Sequence, residues 1–357
     1  MNENELNHTP LFTVVLAGYQ TEPYLQKALD SIANQTFRDF EVICYVEECT
    51  DRSLEMCQAM AERDPRFKVA TGPKSGSGGP TRNYGMDHAS GEYVVFVDGD
   101  DWVREDMLEK LADKLGQTGQ LDILAFAYVS TQSEDVDLSK APKFSNFTIR
   151  DTDAVFSGPD AIRRSWRKGS GFLTYSFMNI YRTAFLQENH LHQPLGILED
   201  YAWMPRVWYL AKRIAYLNEV LYFYRRRANS LTTEASARII YNIVEIVLPS
   251  LFELASEIPV PEDILAIWSN QWVSTFFWFM FHPVSSRKIT DEDRRKALNI
   301  LFSGNGRQRF MYHLSFVSWP KRLARPLILL AAKGFQLPAK LYFRRFYYPM
   351  IERKSKS

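Results

Sequence analysis

Cysteine is scarce in this 357-residue chain: there are three, Cys44, Cys49 and Cys57, crowded into one region. Their spacing fits no zinc template and no disulfide framework, so they are expected to be reduced thiols of a cytoplasmic protein. Long apolar runs are also missing. The longest candidate, Pro326-Leu-Ile-Leu-Leu-Ala-Ala332, falls far short of the ~20 residues of a spanning helix. Met1 to Pro10 is polar and carries no signal-peptide core. The chain has six histidines. His190 and His192 are read as surface positions, while His282 and His313 fall in helical segments and are assigned no role. No internal repeat or low-complexity tract interrupts the chain.

An overall charge imbalance is absent as well, since 43 Lys and Arg stand against 42 Asp and Glu. That near-neutrality conceals a segregation. From Ser318 to Ser357 ten basic residues accompany a single acid, Glu352, so the rest of the chain is net acidic. The hydrophobic share of 46% and charged share of 24% are those of a folded protein rather than a disordered one. Aromatics reach 14%, which fits carbohydrate or membrane-surface contact and equally fits large helical cores.

The first 130 residues alternate strand and helix signals. Strands are expected at Phe12–Ala17, Phe40–Val46, Phe67–Thr71, Tyr93–Val97 and Leu121–Val129. Helices are expected at about Glu22–Asn34, Arg52–Arg63, Thr81–Ala89 and Glu105–Leu115. This rhythm predicts an α/β fold with a mostly parallel, Rossmann-like sheet flanked by helices. Ser130–Ser157 is polar loop, and a helix resumes near Pro159–Arg167. Two β-rich pieces lie around Ile214 and at Val220–Tyr224. From about Ala235 to Phe316 the pattern is helical, broken at Pro259/Pro261 and at Pro283.

Chemistry concentrates at strand ends. Tyr93-Val-Val-Phe-Val-Asp98-Gly-Asp-Asp101 places three carboxylates beyond an apolar run of the kind that is covered on both faces. Ligands of open parallel sheets gather at such carboxyl ends, and hard cations such as Mg2+ or Mn2+ take oxygen donors there. Gly99 lets the backbone turn tightly. The competing reading is an acidic turn capping the next helix. Val46-Glu-Glu-Cys-Thr-Asp51 ends another strand; Asp51 suits a helix cap and Glu48 a ligand contact. Gly76-Ser-Gly-Gly-Pro-Thr-Arg82-Asn83 leads glycines into a helix start, where N–H groups and Arg82 suit an anion. Its spacing is neither Walker A nor a dinucleotide fingerprint, and taken by itself a plain glycine loop is the better reading.

Together with Ala17-Gly-Tyr-Gln, Leu29-Asp-Ser-Ile-Ala-Asn-Gln-Thr-Phe and Asp39-Phe-Glu-Val-Ile, these stretches resemble the N-terminal half of family 2 glycosyltransferases, which have the GT-A fold. The resemblance runs from about Leu11 to Leu115 in the right order. It continues more weakly through Asn179-Ile-Tyr-Arg182, Leu198-Glu-Asp200 and Tyr224-Arg-Arg-Arg-Ala-Asn-Ser230. It implies inverting transfer from a nucleotide-diphosphate sugar, with a UDP-sugar favoured, to a glycan or lipid-linked glycan acceptor in surface-polysaccharide synthesis. By position it implies that Ala17, Tyr19, Glu48, Arg82, Asp98 and Gly99 line the nucleotide-sugar site. Asp98 and Asp100 would hold Mg2+ or Mn2+, and Asp200 would be the general base. Apart from the resemblance, Arg225, Arg226 and Arg227 are within reach of a diphosphate and Arg226 is the one assigned there; solvated basic residues at a strand end account equally well for two of them. The chain departs from the family at Ala17-Gly18 and at Glu47-Glu48, where Asp-Asp is common, and the longer acid bears on which base is accepted.

A base at Asp200 also follows from mechanism, since inversion requires a group that takes the acceptor hydroxyl's proton. Helix capping is the alternative for a carboxylate at that helix start. The expected organisation is a GT-A domain over 1–235, with a donor half at about 11–130 and an acceptor half at about 131–235. A helical region at 236–317 and a basic aromatic tail at 318–357 follow. Trp319, Phe335 and Tyr342 among the tail's basic residues suit peripheral contact with an anionic membrane, on the cytoplasmic face; packing on the domain and nucleic-acid contact are the rivals. No nucleic-acid partner is expected. The other classes left open are a same-fold transferase of a polyol phosphate and a non-catalytic nucleotide-sugar-binding relative.

Overall fold

The computed structural model describes residues 8–138, 154–166, 175–227, 237–281 and 289–303, with isolated positions beyond. It divides into two compact units. The first holds the chain to Leu195 together with Arg206–Arg227; the second holds Gly196–Pro205 and the chain from Ala228.

The first unit contains β1 (Phe12–Gly18), α1 (Glu22–Ala33), β2 (Phe40–Glu47), α2 (Ser53–Arg63), β3 (Phe67–Gly72), α3 (Gly79–His88), β4 (Tyr93–Asp98), β5 (Trp102–Val103), α4 (Met107–Thr118) and β6 (Ile123–Thr131). There follow α5 (Gly158–Trp166), a 3-10 turn at Ser176–Met178, β7 (Asn179–Arg182) and α6 (Thr183–Glu188). α7 (Glu199–Leu210), whose residues up to Pro205 belong to the second unit, precedes the last strand, β8 (Ile214–Arg225). The strands form one eight-stranded sheet in the order β3-β2-β1-β4-β7-β6-β8-β5. β7 runs antiparallel to both neighbours and β5 antiparallel to β8, while every other pairing is parallel. The expected mostly parallel sheet is therefore present.

Burial explains why these segments take these forms. In β4 Tyr93, Val94, Val95, Phe96 and Val97 are all at most 1% exposed, as a strand covered on both faces requires. In α1 Leu25, Ala28, Leu29 and Ile32 form one buried stripe at helical spacing. β8 is one twelve-residue strand, where the sequence pattern suggested two pieces. Register shifts against β6 around Ala127 disturb its alternation without ending it.

The described part of the second unit is helical: α8 (Ala237–Asn242), a π-helical turn (Ile243–Val247), α9 (Leu248–Glu257), α10 (Glu262–Phe281) and α11 (Asp291–Phe302). Trp268, Trp272, Phe276 and Phe277 of α10 are fully buried, and α11 opens on a Thr290–Asp293 capping box. The helical run Ala237–Glu257 reaches 21 residues, longer than any apolar run apparent in the sequence. Arg238, Glu245 and Glu253 interrupt the apolar pattern but not the helix. By length and composition alone it is able to cross a membrane, and more than half of its apolar stretch is buried, as in a core helix. The basic tail lies outside the described residues except for Pro326 and Tyr342.

Candidate active site

Strand register builds one edge of the first unit. Ala17 of β1 lies beside Asp98 of β4 on one side and Tyr45 of β2 on the other, and Glu47 of β2 lies beside Gly72 of β3. The loops leaving β1, β2, β3 and β4 thus emerge together, carrying Tyr19, Glu48, the glycine segment and the acidic turn. Because β6 and β8 point the same way as β4, Arg225 at the end of β8 reaches this edge too.

The acidic turn is closed by specific bonds. The Gly99 N–H donates to Ala17 O at 2.8 Å and the Asp101 N–H to Asp98 O at 2.9 Å. A Cβ on Gly99 would stand 2.9 Å from Ala17 O and 3.0 Å from Thr21 Oγ1, so the close approach of two strand ends requires glycine. Asp98 Oδ1 accepts from Arg82 Nη2 at 2.8 Å. Asp100 Oδ2 accepts from Arg227 Nε at 2.6 Å, and Asp100 O accepts from Arg225 Nε at 2.8 Å. Burial pushes the Asp100 carboxyl up, Arg227 opposes the rise, and the neighbouring Asp98 charge adds to it.

Asp101 has a different task from the helix cap suggested by the sequence. Its side chain is buried; Oδ2 accepts from the Tyr222 hydroxyl at 2.6 Å and Oδ1 from the Arg225 N–H at 2.7 Å. The next element is β5, and α4 starts only at Met107. Asp101 therefore locks the turn onto β8. Burial, followed by repulsion from Asp100 and Asp98, raises its carboxyl well above the usual range.

The glycine segment is also tethered. Glu47, 3% exposed, accepts from the Ser75 N–H at 3.1 Å and from the Ser75 hydroxyl. Ser75 Oγ accepts from the Ser77 N–H at 3.1 Å. Glu48 is exposed, and its N–H donates to Gly72 O at 2.8 Å. The first glutamate thus shapes the loop and the second faces outward. Asp51 behaves as a cap: it accepts from the Ser53 N–H at 3.1 Å and the Glu22 N–H at 2.9 Å. Burial raises its carboxyl, but these N–H donors outweigh burial and leave it below the ordinary value.

The first unit brings together Ala17, Tyr19, Glu48, Arg82, Asp98, Gly99 and Asp100. Ala17 and Tyr19 are half-buried, with Lys74 Nζ 4.8 Å from the Tyr19 ring centre. Arg226 is exposed and its N–H bonds Thr131 O at 2.7 Å; Arg225 and Arg227, on the other side of the chain, are the arginines that meet Asp100. Arg225 is further fixed by Glu134 at 2.8 Å and packs over Trp102 and Tyr24. Asp200, half-buried, belongs to the second unit, in the first turn of α7. Two residues earlier Leu198 has φ 67°, and Gly196 has φ 144°. A leucine in the left-handed region costs roughly 1–2 kcal/mol, and such strain persists where surrounding bonds enforce it. One of them is Asn242 Nδ2 to Ile197 O at 3.2 Å.

For a metal, the donor set fits in kind. Asp98 and Asp100 are hard oxygen donors two residues apart on a turn held by backbone bonds, and ions of the Mg2+ type bind through one or two carboxylates plus substrate phosphates. Among the described residues no group of three or more His, Cys, Asp and Glu forms an all-protein metal cage.

With this geometry in place, comparison with known proteins defines the class. Residues 13–189 match the family described as Glycosyl transferase family 2. The chain is 30% identical to glycosyltransferase GlyG of Streptococcus pneumoniae over 239 residues, covering 66% of this chain and 78% of GlyG. The chain belongs to glycosyltransferase family 2, and it is a nucleotide-sugar glycosyltransferase. It is also 30% identical to the uncharacterized glycosyltransferase EpsJ of Bacillus subtilis over 62% of this chain and 63% of EpsJ. With the poly(ribitol-phosphate) beta-N-acetylglucosaminyltransferase TarS of Staphylococcus aureus it shares 26% identity over 81% of this chain but only 48% of TarS. The chain thus spans less than two thirds of EpsJ and of TarS. Its fold is that of the crystal structure of TarS 1-349 in complex with UDP-GlcNAc, with a TM-score of 0.69 at 21% identity over 94% of this chain and 91% of that one.

Proposed function

We propose that this glycosyltransferase moves a sugar, with inversion, from a UDP-sugar to a glycan or lipid-linked glycan acceptor in surface-polysaccharide assembly. The observation that carries this reading is the register that sets Ala17 beside Asp98 and Glu47 beside Gly72 at one sheet edge, with Arg82 bonded to Asp98. UDP is favoured because TarS, of the same fold, has been crystallised with UDP and with UDP-GlcNAc; its polyol-phosphate polymer acceptor supports a cell-surface glycan.

In this reading Tyr19 and Glu48 face the nucleoside, and Ala17 and Gly99 leave room for it. Arg82 serves the diphosphate and Asp98 also serves the ribose. Asp98 and Asp100 would hold Mg2+ or Mn2+. Such an ion, when bound, offsets the charge that grows on a departing nucleoside diphosphate. Asp200 takes the proton of the acceptor hydroxyl. The protein works in the cytoplasm, with residues 318–357 in peripheral contact with an anionic membrane.

A thermal-shift series over UDP, GDP, CDP and dTDP and their sugars, with Mn2+, tests the donor. Stabilisation by UDP compounds above the others is expected, and preference for another base overturns the UDP assignment. Asp200→Asn is expected to abolish transfer while leaving UDP affinity intact; full activity would sink the base. Removing residues 318–357 is expected to release the protein from anionic vesicles, and unchanged binding would refute the membrane contact.

A further inference from the structure

Both carboxylates of the candidate metal pair already hold a cation. Arg82 stands on Asp98 at 2.8 Å and Arg227 on Asp100 at 2.6 Å. The two arginines are not equally fixed. Arg82 has a side chain only 6% exposed, sits in the first turns of α3 and also bonds Gln193 Oε1 at 3.3 Å. Arg225, 8% exposed, is bound by Asp100 O and Glu134 and packed on two aromatic rings. Arg227 is 26% exposed and lies past the end of β8. Besides Asp100, it meets the Tyr24 ring at the longer distance of 5.7 Å. It is the arginine most able to change partner.

Charge balance says when it does so. With Asp98 and Asp100 ionised, Arg82 and Arg227 balance that pair. A divalent ion arriving alone would have to displace an arginine and leave a half-buried site strongly positive. A diphosphate arriving alone would meet two carboxylates. Ion and diphosphate together nearly cancel, and a guanidinium released from Asp100 finds phosphate oxygens as a new bidentate partner. We propose that Arg227 is an exchangeable counter-ion: it occupies Asp100 in the nucleotide-free protein and yields that carboxylate to the divalent ion only as the diphosphate arrives. Ion and diphosphate consequently bind cooperatively, and each raises the affinity of the other by the same factor. The proposal rests on the metal reading of Asp98 and Asp100 given above.

The test is a Mn2+ titration of the full chain, followed by the electron paramagnetic resonance of free Mn2+, without nucleotide and then with UDP. Arg227→Gln removes the competing charge and is expected to tighten Mn2+ binding without nucleotide by about tenfold, the scale of one charge-assisted hydrogen bond. The same variant is expected to shrink the factor by which UDP tightens Mn2+. Arg227→Lys, which keeps a cation, should remain near the wild type, and it carries the comparison if the glutamine variant fails to fold: a lysine variant that binds Mn2+ tightly without nucleotide overturns the proposal. Mn2+ affinity unchanged in Arg227→Gln, with and without UDP, overturns the exchange while leaving the metal reading standing. No Mn2+ binding by any form, even with UDP, overturns both. Persistence of the tightened binding in Arg227→Gln combined with Asp100→Asn also overturns it, because the ion would then lie elsewhere.

Discussion

Tyr222 and Asp101 are 121 residues apart in sequence, and the tyrosine hydroxyl donates to the carboxylate at 2.6 Å with both side chains buried. The same hydroxyl accepts from the Asp98 N–H at 3.1 Å. One phenol therefore holds both ends of the acidic turn. Burial, followed by the Asp101 and Asp98 charges, raises the Tyr222 phenol well above its ordinary value, so it stays a donor at all working pH.

Tyr222→Phe leaves a buried carboxylate short of a donor. Such a loss costs about 1–3 kcal/mol, and a fall of that size is expected in chemical denaturation of the full chain, with weaker UDP binding. Unaltered stability together with unaltered UDP affinity would contradict the locking role.

Two glycine-to-alanine changes should act in opposite directions. A Cβ at Gly85 of α3 would stand 2.3 Å from Val15 Cγ1 and 2.4 Å from Val15 Cγ2. Overpacking there is expected to cost about 1–3 kcal/mol and to disturb Arg82, which lies on the same helix. A Cβ at Gly116 of α4 meets nothing within 4 Å, so Gly116→Ala should stabilise by up to about 1 kcal/mol. Paired melting curves check both.

Glu41 predicts an acid limb of stability. Burial alone would raise its carboxyl; bonds from Lys68, Ser90 and Thr13 outweigh burial and bring it down from 4.5 to about 2. A depressed carboxylate stabilises the fold above its unfolded value, and that contribution is lost as pH falls through the folded one. The window is therefore about pH 4.5 down to about 2, with roughly 3 kcal/mol at stake. Denaturation measured across this window should show Glu41→Gln less stable at neutral pH and less sensitive to acid.

Ser75→Ala removes the hydroxyl that joins Glu47 to the glycine segment. The expected outcome is a severalfold rise in donor KM with kcat little changed, and a lower melting temperature because the buried Glu47 carboxylate loses a donor. A kcat effect without a KM effect would be the wrong pattern for a loop-shaping role.

Much of the first unit is legible in the sequence because β1, β2 and β4 are mostly apolar runs separated by helices with a buried stripe such as that of α1. β1 to β4 and α1 to α4 fall within a few residues of where the pattern puts them. β5, with two residues, and β7, with four, are too short for any periodicity to register. The acidic turn was visible as a site, but the division of labour within it was not. That Asp101 faces β8 while Asp100 faces Arg227 depends on a pairing partner far along the chain. The same holds at the end of β8, where the choice among three consecutive arginines is made by which side of the strand each occupies. Glu47 and Glu48 look alike in sequence, and only the position of Gly72 and Ser75 beside β2 separates the tether from the exposed acid.

The place of β7 in the sheet has a consequence for biosynthesis. β4 is complete by residue 98, yet its outer neighbour is not β6 but β7, which spans residues 179–182. While the ribosome adds the intervening 80 residues, β4 offers a bare hydrogen-bonding edge on one of the most apolar segments of the protein. A nascent chain paused in that interval, or a fragment ending after β6, carries an open edge able to recruit another strand. Productive maturation of this enzyme therefore hinges on a four-residue segment that inserts late between two waiting strands.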